Sequence, residues 1–411
     1  MVRRRSRHRP RGRLRHYAGF LSPDAAAALP VMFERDSGQR LRRLVATAAD
    51  GARQRVRPSR PRMRALIASA GGRLRWREVP APPPPGPLGA TVHPIAASTC
   101  DLDCPLVLGA TQLALPLHLG HECIAEVTAV GERVRTVQVG DRVIVPFQIN
   151  CGVCEPCRAG RTGSCTGVPP ISMYGMGLAA GHWGGAFSDE LAVPYADAML
   201  VQLPDGIDPI AAASVADNVC DAHRHIAPHL PALLGKDPSA EVLIVAATTP
   251  KTLFTASLPL YTGLIARAYG ARNITLVDAR PRIREHAQRL GFEALAPRAL
   301  RRRPPAPLVA DVNANPSLAL AHTAPDGVCS SAGGLHRSEG IPLLRMYVRN
   351  ATFHVGRTHA RALIPEVLEL MVQGRLHPEA IPLNVAPLDD AIPALREHFL
   401  SGEGVKTVLT V

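Results

Sequence analysis

Four cysteines fall within residues 151–165, as Cys151, Cys154, Cys157 and Cys165, in the spacing C-x2-C-x2-C-x7-C. Thiolates this close along one loop can enclose a zinc ion tetrahedrally without ligands from elsewhere. Gly152, Gly160 and Gly163 permit the tight turns such a loop requires. The chain has nine cysteines in 411 residues and no apolar signal core after its basic start, so a disulfide framework accounts poorly for the cluster. A closed four-sulfur site leaves no coordination position open, and its task is therefore structural. Upstream lies Gly120-His121-Glu122. A lone His-Glu pair means little, but this one sits between Cys100, in Ser98-Thr99-Cys100-Asp101-Leu102-Asp103, and the cysteine loop.

The order of the Cys100 segment, Gly120-His121-Glu122, Gly140-Asp141-Arg142-Val143 and the cysteine loop resembles the zinc-dependent medium-chain dehydrogenase/reductase family, of the alcohol dehydrogenase type. The resemblance runs from about Met63 to Val411. It implies an α/β protein with a GroES-like β-rich catalytic domain and a doubly wound Rossmann-type nucleotide-binding domain. By position, Cys100 and His121 would be ligands of a catalytic zinc, and Glu122 the carboxylate that can approach it. The third ligand would be Asp217, in Ser214-Val215-Ala216-Asp217-Asn218, as in formaldehyde-dehydrogenase-like members; Cys220 and Asp221 are alternatives. Three protein ligands leave a fourth position for water or a substrate oxygen. Asp103 would orient His121, and Phe147 would line the substrate pocket. Leu102 stands where many members carry the hydroxyl that starts a proton relay, so water, Asp101 or Glu122 would have to substitute. The activity implied is hydride transfer between an alcohol or aldehyde and NAD, with two zinc ions per chain, a cytoplasmic location, and dimers or tetramers.

The elements that must position these residues follow a change of rhythm. Residues 63–228 read as short strands separated by Gly-Glu, Gly-Asp and Gly-Gly turns, including 64–68, 74–79, 123–130, 142–145 and 190–193. From residue 229 to 350, strands alternate with helices: strands at 241–245, 273–277, 308–311 and 327–331, helices at 258–269 and 281–290. Such alternation predicts a parallel, doubly wound sheet. Residues 351–411 add helices near 363–370 and 389–400 and a closing strand at 406–411, a segment that the resemblance returns to the catalytic domain.

A dinucleotide site needs a Gly-rich turn between its first strand and helix, because side chains there obstruct the pyrophosphate. Here no glycine occurs between Val245 and Gly263, and Pro259 falls near the place of the last one. Thr248 and Thr249, with Lys251 and Thr252, could grip phosphate through hydroxyls and charge instead. Asp278 ends the second strand as the acid that accepts from an adenosine ribose, a position that favours NAD over NADP; Arg280 nearby would soften that preference. The rival reading is a zinc protein that keeps the fold but has lost nucleotide binding and catalysis.

Composition sets the outer limits. With 46% hydrophobic and 20% charged residues, the chain can bury two sizeable cores. No run of 18 apolar residues occurs, which excludes a membrane-spanning helix in this sequence. The net charge of +13 is local: residues 1–62 hold 17 arginines and four acids, and the remainder carries 30 basic and 30 acidic groups. That arm lacks sustained periodicity and reads as a disordered extension or a transit peptide. Nucleic-acid binding is the weaker account, because no aromatic interleaving or recognition motif accompanies the charge.

Overall fold

Gly71 and Gly72 turn the chain between its first two strands with φ of 79° and 71°, a left-handed pair that residues with a Cβ adopt poorly. The computed structural model describes residues 61–411 apart from 70, 112–114, 170, 177–182, 313–314, 334–339 and 401–403, so the arginine-rich residues 1–60 lie outside the described residues. In chain order the first strands are β1 (Arg62–Ser69), β2 (Arg73–Pro80), β3 (Ala90–Ser98) and β4 (Leu117–His118). They are followed by β5 (Glu122–Val130), β6 (Arg142–Val145), β7 (Leu191–Val193) and β8 (Val201–Gln202). β2, β1 and β4 form a small antiparallel sheet.

Strands β9 (Val242–Val245), β10 (Ile274–Val277), β11 (Glu293–Leu295), β12 (Ala306–Asp311), β13 (Thr323–Ser331) and β14 (Thr352–Val355) build a second, wholly parallel sheet. Its order is β11-β10-β9-β12-β13-β14. Counted from β9, that is the 3-2-1-4-5-6 arrangement of doubly wound dinucleotide-binding sheets. Every residue of β9 and β10 is buried, as parallel strands covered on both faces require. The helix Ser257–Ala268 follows β9 and ends before Gly270, whose φ is 98°; the helix Pro281–Arg289 follows β10 with Pro281 in its first turn.

The last strands, β15 (Leu383–Pro387) and β16 (Lys406–Thr410), join the first part of the chain in a path β15-β16-β3-β5-β6-β8, with β7 also on β3. β3 was not among the expected strands. Its Pro94 cannot donate to a ladder, and a register shift between Pro94 and Ala96 accommodates it. The helix Leu343–Arg349 was also not among the expected elements; its apolar residues Leu343, Leu344, Met346, Tyr347 and Val348 are not buried. Among the described residues, no helix is long and apolar enough to cross a membrane.

Candidate metal and nucleotide sites

Pairing of β3 with β5 sets Ser98 opposite Glu122, which brings Cys100, just beyond β3, beside His121, just before β5. Asp217 enters from the start of the helix Asn218–Ile226. Ligand atoms of Cys100, His121, Glu122 and Asp217 all lie within 4.8 Å of one another. Asp217 Oδ2 is 3.4 Å from Cys100 Sγ and 3.4 Å from His121 Nε2. Ligands bound about 2.0–2.3 Å from a tetrahedral ion stand about 3.3–3.8 Å apart, so these separations suit zinc. His121 is buried, yet neither ring nitrogen has a hydrogen-bond partner. A buried polar group left unsatisfied is costly, and a cation facing Nε2 would satisfy it.

Electrostatics point the same way. Burial pushes the Cys100 thiol well above its usual range, and the carboxylates of Asp217, Glu122 and Asp103 push it further. Burial works against a charged His121, but Asp103 and Asp217 outweigh it and raise the imidazole to about 9. A divalent cation reverses this balance: it favours the thiolate and the neutral imidazole that coordinate it. Asp103 Oδ1 faces His121 Nδ1 at 3.7 Å, on the orienting side of the ring, while Oδ2 accepts from the Cys100 amide at 2.8 Å. The Phe147 ring stands 6.0 Å from that of His121, and the Leu102 amide is 3.5 Å from Cys100 Sγ. The structure does not bring the alternative ligands to the cluster. Cys220 Sγ points to the carbonyl of Ala360, and Asp221 is bound by Arg224.

Glu122 is fully buried, and its partner was not foreseen. Lys406, the first residue of β16 and itself fully buried, donates to Glu122 Oε2 at 2.8 Å; Ser98 donates to the same oxygen at 2.6 Å. Burial raises the Glu122 carboxyl to about 7 against the pull of Lys406. The signal was faint but real: the chain has only three lysines, and one of them opens its last apolar strand.

In the cysteine loop, the sulfurs of Cys151, Cys154, Cys157 and Cys165 also gather within 4.8 Å. Cys154 and Cys165 are 3.8 Å apart, and the amides of Cys151 and Gly167 each donate to Cys165 Sγ at 3.3 Å. Partial burial opposes ionisation of Cys154, but amides of Cys157 and Thr166 bring its thiol down to about 6. Gly152 and Gly160 turn the loop at φ of 73° and 75°. None of the nine cysteines is in a disulfide. The donor set fits a closed zinc site.

Comparison with known proteins places the chain in a family. Residues 86–205 match the family described as the alcohol dehydrogenase GroES-like domain. A probable zinc-binding alcohol dehydrogenase of Mycobacterium tuberculosis is 29% identical over 78% of this chain and 81% of its own length. The solved structure of an alcohol dehydrogenase from Thermus sp. ATN1 superposes with a TM-score of 0.75 at 30% identity, covering 85% of this chain and 100% of that one. The chain belongs to the zinc-dependent medium-chain dehydrogenase/reductase family. A glutathione-independent formaldehyde dehydrogenase of Pseudomonas aeruginosa is 30% identical over 54% of this chain, which spans about half (55%) of that protein's length.

Against this medium-chain dehydrogenase/reductase background, the nucleotide cleft is unusual. Asp278 directly follows β10, but it is fully buried and both of its oxygens are engaged. Arg280 donates to it through the backbone amide, Nε and Nη2 at 2.7–2.9 Å, and through Nη1 to the carbonyl of Phe254 at 2.9 Å. Thr249 is exposed and donates to the carbonyl of Lys251 at 3.3 Å; Thr248 is half-buried. The hydroxyls that do converge on the helix start are Thr255 and Ser257, and they bind Asp101. Asp101 is therefore committed to that helix and is not placed as a proton relay. Tyr174 is fully buried and donates to the carbonyl of Ala192, so it belongs to the core.

Proposed function

We propose that the chain is a zinc-dependent oxidoreductase that moves a hydride between an alcohol or aldehyde and NAD. The observation that supports it most is the buried cluster of Cys100, His121 and Asp217 around an imidazole with no other partner. Cys100, His121 and Asp217 would hold the catalytic zinc, and the four loop cysteines the structural one. Zinc bound by three protein ligands supplies Lewis-acid polarisation of a substrate oxygen. Asp103 Oδ1 lies 3.7 Å from His121 Nδ1, on the side of the ring away from the metal position, where it would orient the ring. Lys406 balances Glu122, which keeps one further negative charge in the dry cluster from standing alone. The Phe147 ring, 6.0 Å from that of His121, would give the site an apolar wall, which favours substrates with hydrocarbon bodies over highly charged ones.

The order of the six-stranded sheet supports a dinucleotide as the hydride partner. The cleft groups that would receive it are held by the chain's own side chains in this conformation. That observation favours the second reading, a zinc protein without catalysis. The exposed edge strand β14 and the solvent-facing helix Leu343–Arg349 beside it fit a homodimer.

The test combines metal analysis with NADH formation at 340 nm from a panel of alcohols, using His121→Ala as the control. Two zincs and alcohol-dependent NADH formation that His121→Ala abolishes would support the enzyme. Two zincs with no NAD or NADP binding at millimolar concentration would favour the silent protein.

A further inference from the structure

In a doubly wound sheet, the helix after the first strand points its free amides at the dinucleotide phosphates, which its dipole also favours. Here that helix is Ser257–Ala268, and its first amides are already bonded to a carboxylate of the same chain. The Ser257 amide donates to Asp101 Oδ1 at 3.0 Å, and the Leu258 amide donates to Asp101 Oδ2 at 2.9 Å. The hydroxyls of Thr255, at 2.7 Å, and of Ser257 donate to Oδ1. Asp101 is 7% exposed and lies 156 residues from Ser257, so this is a tertiary contact and not a local cap. It joins the loop that carries Cys100 to the nucleotide-binding sheet.

We propose that Asp101 is an internal anion seated in the phosphate subsite, and that a dinucleotide enters only when this carboxylate leaves the helix. The inference rests on the oxidoreductase reading of the site. Two observations carry it independently. The first is the Asp101 contact: four donors converge on one carboxylate, as they would on a phosphate. The second is the arginine clamp. Arg280 ties Asp278 to the carbonyl of Phe254, which draws the segment after β9 over the end of β10. The cleft is thus closed at the phosphate end and at the ribose end by the chain itself. A pyrophosphate and the Asp101 carboxylate cannot share those donors, and like charges in a site with little water repel strongly.

The experiment is calorimetry on the zinc-replete full chain, comparing wild type with Asp101→Asn and Asp101→Ala. Three probes are titrated: NADH, ADP-ribose and adenosine, the last without phosphate. The expected result is that NADH and ADP-ribose bind roughly tenfold tighter or better to Asp101→Ala, because one repelling charge has gone. Adenosine affinity should not change. Hydrogen exchange at the Ser257 and Leu258 amides should quicken in Asp101→Ala and slow again when NADH is added. Asp101→Asn keeps the side-chain shape and decides the matter if the alanine variant does not fold. Equal NADH affinity in wild type and folded, zinc-replete variants would overturn the proposal and leave the NAD reading standing. Binding by the variants alone would support the proposal and show the wild-type cleft to be shut. No binding of NADH or ADP-ribose by any of the three proteins would overturn both.

Discussion

Asp217 contacts Cys100 and His121 and no ligand of the cysteine loop, so the two metal positions should be separable by single substitutions. Asp217→Ala is expected to lower zinc from about two per chain to about one, with the loop metal retained. Inductively coupled plasma measurements that still find two would move the third ligand to Glu122, the other carboxylate in the cluster. Lys406 and Glu122 make a different residue-scale prediction. Removing one partner of a buried pair leaves a charge uncompensated, at a cost of about 3–5 kcal/mol, whereas removing both is often much milder. Lys406→Met should therefore lower the denaturant midpoint markedly, and Lys406→Met combined with Glu122→Gln should recover much of the loss. A double variant less stable than Lys406→Met would sink that account. Cys100, His121 and Asp217 were legible in the sequence because motif order carries them. Lys406 was not, because its partner is 284 positions away and only the return of β16 brings them together.

At the scale of elements, the cysteine loop and the helix Asn218–Ile226 respond to different conditions. The loop has little core of its own, and Cys154→Ala should reduce metal content and thermal stability together, since metal binding there contributes to folding. Unchanged stability after loss of that metal would show the loop to be an appendage. On the helix, burial disfavours an ionised Asp221, but Arg224 and His225 prevail and hold its carboxyl down at about 2. A carboxyl depressed in the folded state contributes stability above its unfolded pKa of about 3.9. That contribution is lost as pH falls towards 2. Asp221→Asn should therefore flatten the stability–pH curve between those limits, measured by urea unfolding; a curve that stays as steep would place the acid sensitivity elsewhere. Helices and strands with punctuation were readable: Pro281 and Gly291 bracket their helix, and Gly71-Gly72 mark their hairpin. The segment after Val245 was only half readable. Its missing glycines signalled an altered phosphate site, but nothing local to residues 246–259 could name Asp101 as the group that fills it, since Asp101 comes from a distant loop.

At the scale of the whole molecule, the parallel sheet ends at β11 on one side and at β14 on the other. Among the described residues, β14 has a neighbour on one side only, and Val355 at its end is exposed. Beside it, Leu343, Leu344, Tyr347 and Val348 are between 71% and 86% exposed, an apolar group that water disfavours. An open strand edge next to an apolar surface is a template for pairing with another chain. A two-fold axis across β14 would pair it antiparallel with its copy and bury both helices against each other, which closes the assembly at two chains. The expectation is a dimer in sedimentation velocity at micromolar concentration. The combined substitution Leu344→Glu and Tyr347→Glu should convert it to monomers without changing zinc content, because both side chains project into solvent and lie outside the metal clusters. Wild-type protein that sediments as a monomer across that range would remove the argument. A double variant that stays dimeric would place the interface on another face, away from β14.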